Sequence, residues 1–166
     1  MTKYIQHDRE LMIEIVETRQ IGFRKWADLY KTYAEFYQVS MTEEQLQTAW
    51  AWLSGHETEL RGIAALLDGE PKGIIHYRRF LRPMSGEVGI FMDDIFVCSS
   101  VRRQGVGNAL LERLQHIAEV QDCTVIRWMT AENNRGAHRF YDQFGKLTKW
   151  ITYDHNMSDE DVPDKK

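Results

Sequence analysis

Met92-Asp93-Asp94-Ile95-Phe96-Val97, Arg102-Arg103-Gln104-Gly105-Val106-Gly107 and Asn134-Arg135-Gly136-Ala137-His138-Arg139-Phe140-Tyr141 are the pieces of one stretch whose reading decides the fold. The first is apolar around a pair of carboxylates and continues a strand that begins at Glu87. The second places Gly105 and Gly107 where that strand has ended and a helix begins. The helix, residues 104–119, carries Val106, Leu110, Leu111, Leu114, Ile117 and Ala118 on one broad apolar face. A strand of buried type follows over residues 124–130. The third piece sets Asn134, Ala137 and Tyr141 at i, i+3 and i+7, on one face of a second helix over residues 133–144 that Gly145 stops. Strand, helix and strand in this order require a crossover and a parallel pair.

Working outward, residues 11–18 are rich in Ile and Val and read as a strand. Residues 23–37 have helical spacing, with Trp26, Tyr30, Tyr33 and Tyr37 on one face that packs against a sheet, one end of which can also line a substrate pocket. Thr42-Glu43-Glu44-Gln45 has the form of a capping box opening a helix through Leu46, Trp50 and Leu53, ended by Gly55. Residues 63–67 and 73–80 form a hairpin across Asp68-Gly69, and the apolar residues 147–153 supply a last strand. Antiparallel strands first and a crossover later give an α/β fold of the mixed α+β kind. Residues 1–157 make a single domain, and the acidic, polar residues 158–166 form a disordered tail.

The bulk numbers exclude several classes. A chain of 166 residues with 43% hydrophobic and 28% charged residues builds an ordinary globular core. Its net charge of -4 leaves no excess of Lys and Arg for nucleic acid. No apolar run is long enough to span a membrane, and residues 11–16 are interrupted by Glu14, so they make no signal-peptide core. Cys98 and Cys123 are the only cysteines. They form no CxxC pair and suit small buried positions in a reducing cytoplasm. His76 and His116 lack ligand-spaced partners, so no metal is expected.

The turn at Arg102–Gly107 has a chemistry of its own. Glycine lets backbone approach a ligand closely, and a helix N-terminus presents free N–H groups to a phosphate. With Arg102 and Arg103 beside it, a pyrophosphate is a fitting guest. A dinucleotide fingerprint would need a glycine where Leu110 stands, and the Gly-Lys-Ser/Thr of a P-loop occurs nowhere. An ordinary glycine-bearing helix start with solvated arginines fits the fragment equally well.

Taken together, these motifs resemble the GNAT superfamily of acetyl-CoA-dependent N-acetyltransferases. The family's Arg/Gln-x-x-Gly-x-Gly/Ala signature matches Arg102-Arg103-Gln104-Gly105-Val106-Gly107. Its Asn-x-x-Ala-x-x-x-Tyr-x-x-x-Gly signature matches Asn134, Ala137, Tyr141 and Gly145. Asp93-Asp94-Ile95-Phe96-Val97 matches the preceding strand. A finer resemblance, through Tyr33, Phe36-Tyr37, Trp50, Trp128-Met129-Thr130 and Ile151-Thr152-Tyr153, is to the branch that includes the small yeast Hpa-type histone and polyamine acetyltransferases. The resemblance implies a central, mostly antiparallel sheet of roughly six or seven strands with a splayed parallel pair, flanked by about four helices.

It also implies a division of labour. Ile95, Phe96 and Val97 would pair with the pantetheine arm, and the Val97 N–H would polarise the thioester carbonyl. Backbone amides from Arg103 to Asn108, through Gln104, Gly105, Val106 and Gly107, would hold the pyrophosphate. Asn134 would bond to the pantetheine or to water near the attacking amine, and Tyr141 would give a proton to the leaving sulfur. An alkylamine has a pKa of about 10 and must lose a proton before attack. Asp93 is the first candidate for that base through a bridging water, with Asp94 and Glu87 as alternatives. Neighbours on a strand face opposite ways, so Asp93 and Asp94 reach the same gap only if a bulge intervenes.

Arg127 and Arg135 read as solvated charges or as partners of the cofactor's 3′-phosphate, and His138 and Arg139 as exposed. Cys98 lacks a base, so direct transfer to a small-molecule or peptide amine is the simpler mechanism. Asp28 and Glu35 on the first helix read singly as a solvated face; together they suit a cationic acceptor, a polyamine, an aminoglycoside or a lysine side chain, which the sequence does not rank. The alternative is a catalytically weak acetyl-CoA-binding sensor or scaffold. Relatives of this branch pair through the C-terminal strand, so a homodimer is expected.

Overall fold

The computed structural model describes residues 2–6 and 9–157; the expected tail, residues 158–166, lies outside them. The described residues divide into two compact units at Trp128/Met129, and each is taken by itself.

The first unit is built on a six-stranded sheet in sequence order: β1 (Thr2–Gln6), β2 (Arg9–Glu17), β3 (Arg61–Leu67), β4 (Glu70–Arg82), β5 (Glu87–Val97) and β6 (Ile126–Trp128). The first five pair antiparallel and β6 lies parallel to β5, the mixed sheet that the chain order demands. The β3–β4 turn is the expected Asp68-Gly69, with φ of 51° and 82°. Two left-handed residues match the twist of the strands they join.

Helix α1 (Thr18–Phe36) breaks at Gly22, where φ is 79°, so the regular helix starts at Phe23 as its spacing predicts. Helix α2 (Glu43–Ser54) opens on the Thr42/Gln45 capping box and closes at Gly55. The aromatic stripe of α1 packs inward. Trp26 is fully buried with Leu46 and Leu53 of α2, and Tyr33 and Leu29 lie against Ala64, Ile74 and Phe96. Helix α3 (Val106–Val120) buries Val106, Leu110, Leu111, Leu114 and Ala118.

Alternation along β4 assigns the faces. Ile74 meets α1, whereas a Cβ built on Gly73 would lie 3.0 Å from Leu110 and 3.1 Å from Val106 of α3. The missing side chain at Gly73 lets the first turn of α3 seat directly on the strand.

The second unit contains α4 (Arg135–Tyr141), shorter at both ends than the spacing suggests. Residues 147–153 form no strand, which corrects the expectation. Leu147, Trp150, Ile151 and Tyr153 are 86%, 87%, 74% and 86% exposed; an apolar run forms a strand only when a neighbour takes its hydrogen bonds. The six strands are reached instead through β1, five residues whose Lys3 and Gln6 dilute the strand signal.

Replacing Gly73 with Val should push α3 off the sheet and lower the stability by about 1–3 kcal/mol. Urea unfolding monitored by tryptophan fluorescence checks this; an unchanged midpoint would contradict the close seating.

Candidate active site

Strand β5 pairs with β4 along its whole length, but the register slips once. His76 faces Asp94, yet Tyr77 faces Met92. Asp93 is left without a partner, so a bulge sits at this carboxylate.

Asp94 points to the α1 side and is 7% exposed. Its Oδ2 accepts the Tyr30 hydroxyl at 3.0 Å and faces His76 Nδ1, also at 3.0 Å. Trp26 Nε1 donates to His76 Nε2 at 3.0 Å. An indole nitrogen only donates, so Nε2 must accept, and the imidazole proton sits on Nδ1, where it is given to Asp94. Burial, then the charge of Asp94, pushes the Tyr30 and Tyr33 phenols far up, and Tyr33 also hydrogen-bonds to Asp94. Both phenols therefore stay protonated donors. Asp94 is a buried carboxylate with Tyr30, Tyr33 and His76 turned on it.

Asp93 is different. Arg78 Nε approaches both of its oxygens at 3.1 Å, and the guanidinium lies 4.8 Å over the Phe91 ring. Partial burial nevertheless raises the Asp93 carboxyl above its ordinary value, Arg78 opposes this, and Asp94 adds to it. Asp93 thus binds a proton more readily than an exposed aspartate. Glu87 sits at the far end of β5, exposed, and hydrogen bonds from Ser85 and Thr124 hold it below the carboxylate range. Of the three carboxylates, one is sealed, one is a weak base at the wrong end of the strand, and Asp93 is half-open with raised proton affinity.

Beyond the bulge the sheet opens. Strand β6 pairs with β5 only at Ile90, Phe91 and Met92, so among the described residues β5 has no strand on that side past Met92. The Cys98 N–H donates to the Lys72 carbonyl on β4. Antiparallel pairs alternate, so the backbone groups of Phe96 are turned to β4 and those of Ile95 and Val97 to the open side. The Val97 carbonyl accepts from Arg102 Nε at 3.3 Å, as that orientation requires. The Phe96 side chain is buried against α1, so Phe96 faces the gap with neither its backbone nor its ring.

The strand leads through a short 3-10 turn (Ser99–Val101) into the α3 N-terminus. Arg103 and Gly105 both have positive φ, 64° and 86°. Alternating left-handed residues gather N–H groups into a concavity, and the non-glycine one costs about 1 kcal/mol. The first intrahelical bond runs from Ala109 N–H to the Gly105 carbonyl. Val106, Gly107 and Asn108 therefore keep N–H groups without an intrahelical acceptor, and no side chain caps them. Arg102 is engaged, stacked 5.4 Å over Phe36. Gln104 bonds to the Ser100 carbonyl.

In the second unit, Asn134 is the N-cap of α4: its Oδ1 accepts from the Ala137 N–H at 3.2 Å. Tyr141, at the end of α4, is half-buried and its ring meets Phe140 at 5.6 Å. His138 is half-buried too, with Nε2 3.0 Å from the Ala131 carbonyl, rather than solvated. Arg127, in the first unit, stacks over Phe80 at 5.2 Å. Burial raises the Cys98 thiol, which keeps it protonated and a poor nucleophile. The described residues hold no cluster of three or more metal-ligating side chains.

The sequence reading placed Trp26 and Tyr30 in a packing stripe and found no metal partner for His76, but not the network that joins them to Asp94. A signal existed: a histidine in the apolar run Gly73–Tyr77 of a central strand must find a polar partner.

The model of the acetyltransferase (GNAT) family matches residues 26–145. The chain is 27% identical over 133 residues to the D-amino-acid N-acetyltransferase HPA3 of Saccharomyces cerevisiae, covering 79% of this chain and 83% of that one. Among solved structures, a probable acetyltransferase superposes with a TM-score of 0.77 at 25% identity, covering 89% of this chain and 99% of that one. An aminoglycoside N-acetyltransferase, AAC(6')-Iy in complex with CoA, superposes with a TM-score of 0.75 at 17% identity, covering 92% and 100%. The match extends over more than half of the sequence, and the chain belongs to the acetyltransferase (GNAT) family of acetyl-CoA-dependent N-acetyltransferases.

Proposed function

We propose that this N-acetyltransferase transfers the acetyl group directly to a primary amine, with Asp93 as base and Tyr141 as acid. The observation that carries the reading is the open edge of β5, where Ile95 and Val97 turn their backbone groups outward, running straight into the uncapped, left-handed turn that starts α3. An extended arm bearing amides and a pyrophosphate fits these donors in that order. Acetyl-CoA, when bound, supplies the activated acetyl group.

The chain's own residues do the rest. Ile95 and Val97 align the amide-bearing arm, and the Val97 N–H donates to the carbonyl that is attacked. Amides from Arg103 through Asn108 hold the pyrophosphate, with the helix dipole favouring its charge. Asp93, roughly 7 Å along the strand from Ile95, takes the amine's proton through a water. Tyr141 acts as the acid for the leaving group, and Asn134 as a cofactor-binding amide.

The acceptor is a small-molecule or peptide amine. Relatives named for D-amino acids and aminoglycosides place amino acids beside polyamines, aminoglycosides and lysine side chains in the set to test.

Thiol release from acetyl-CoA should rise above background hydrolysis with at least one amine of that panel; no rise with any of them would sink the enzyme reading for this set of acceptors. Replacing Gly105 with Val puts a β-branched side chain at a φ of 86° and should abolish acetyl-CoA binding in calorimetry, unaltered affinity contradicting the pyrophosphate assignment. Tyr141→Phe should lower kcat about 100-fold with little change in affinity for acetyl-CoA; equal losses in both would make Tyr141 a binding residue only.

A further inference from the structure

We propose that Asp94 is a positioning residue of the transfer reaction: clamped by Tyr30, Tyr33 and His76, it is a permanent negative charge behind the bulge that sets how readily Asp93 takes a proton. The inference rests on Asp93 being the base and adds what tunes it.

The geometry has three parts. Asp93 and Asp94 are neighbours at a bulge, which relaxes the strict alternation that would keep them on opposite faces. Two carboxylates so close diverge when their surroundings differ. Asp94 is 7% exposed and met by neutral donors, the Tyr30 hydroxyl and the His76 Nδ1–H, which stabilise its anion without cancelling its charge. Asp93 is more open and answers to Arg78 alone among cations it contacts.

Trp26 is the third part. Its N–H holds His76 Nε2 as an acceptor. With Nε2 held as an acceptor, the ring proton sits on Nδ1 and is directed at Asp94. Trp26 is fully buried between α1 and α2, so this constraint is anchored in the core.

The groups that face Asp93 are Arg78 and His76 from β4, Asp94 from β5 and Tyr30 from α1. Arg78 and His76 favour the ionised form of Asp93, and Asp94 the protonated one. The raised carboxyl of Asp93 agrees with burial, with Asp94 adding to it, outweighing both.

The test is the pH dependence of kcat/KM with a single amine, so that the substrate's own ionisation is common to all variants. Its acid limb reports the essential base of the free enzyme. Asp94→Asn should move that limb down by about one pH unit, the scale of one charge removed at close range. Tyr30→Phe leaves the carboxylate in place and should keep the limb or move it up. A limb unmoved in Asp94→Asn, or one lowered equally by Tyr30→Phe, overturns the proposal while leaving Asp93 as base.

Asp93→Asn that retains the original limb removes the base assignment and the proposal with it. Should Asp94→Asn not fold, carbon-13 NMR of the unaltered protein labelled at aspartate carboxyls decides. Asp94 should read as ionised throughout the range in which Asp93 takes up its proton; Asp94 protonating first would overturn the proposal.

Discussion

A carboxylate removed from water must be met by donors, and the way this chain meets Asp94 ties its first unit together. Its donors come from the first helix and from the neighbouring strand, and that strand's histidine is in turn held by an indole of the first helix. Uncompensated, such a charge costs several kcal/mol. Compensated, it demands that α1, β4 and β5 keep one relative placement. The aromatic contacts around it do the same in apolar terms: Tyr30 stacks on Tyr33, and Tyr33 meets Phe96 at a tilt. The bulge is therefore braced from the α1 face of the sheet.

The other face is set by an absence of bulk. Gly73 lies opposite Val97 in the register, so the place where α3 approaches the sheet most closely is also where β5 ends. Close seating brings the free N–H groups of α3 to the end of the open strand. The link from packing to chemistry is short here: a missing Cβ places a helix terminus, and the terminus supplies a positive field.

Much of this was legible in the sequence. The order of elements, the capping box at Thr42, the Asp68-Gly69 hairpin and the inward stripe of α1 are local signals, and local signals survive into the fold. The turn at Arg102–Gly107 and the helix face Asn134–Ala137–Tyr141 were readable as local spacing, and the family resemblance supplied the roles expected of them. The bulge was not. A register slip depends on how two strands settle against each other, and nothing in Met92-Asp93-Asp94 specifies which residue is squeezed out. The roles of Trp26, Tyr30 and His76 were hidden because they join residues 50 and 64 positions apart. Residues 147–153 misled for the converse reason: their composition favours a strand, but a strand is made by its partner.

The gap in the sheet has a further consequence. An unpaired strand edge is ordinarily adhesive, because any extended chain can complete its hydrogen bonds. Zipper-like association takes segments of about six or seven residues. Here the outward-facing backbone past the bulge is confined to Ile95 and Val97 before the chain turns away into the 3-10 segment. Such an edge is shorter than the segments by which strands zip together, so the gap in the sheet opens without leaving a long adhesive border.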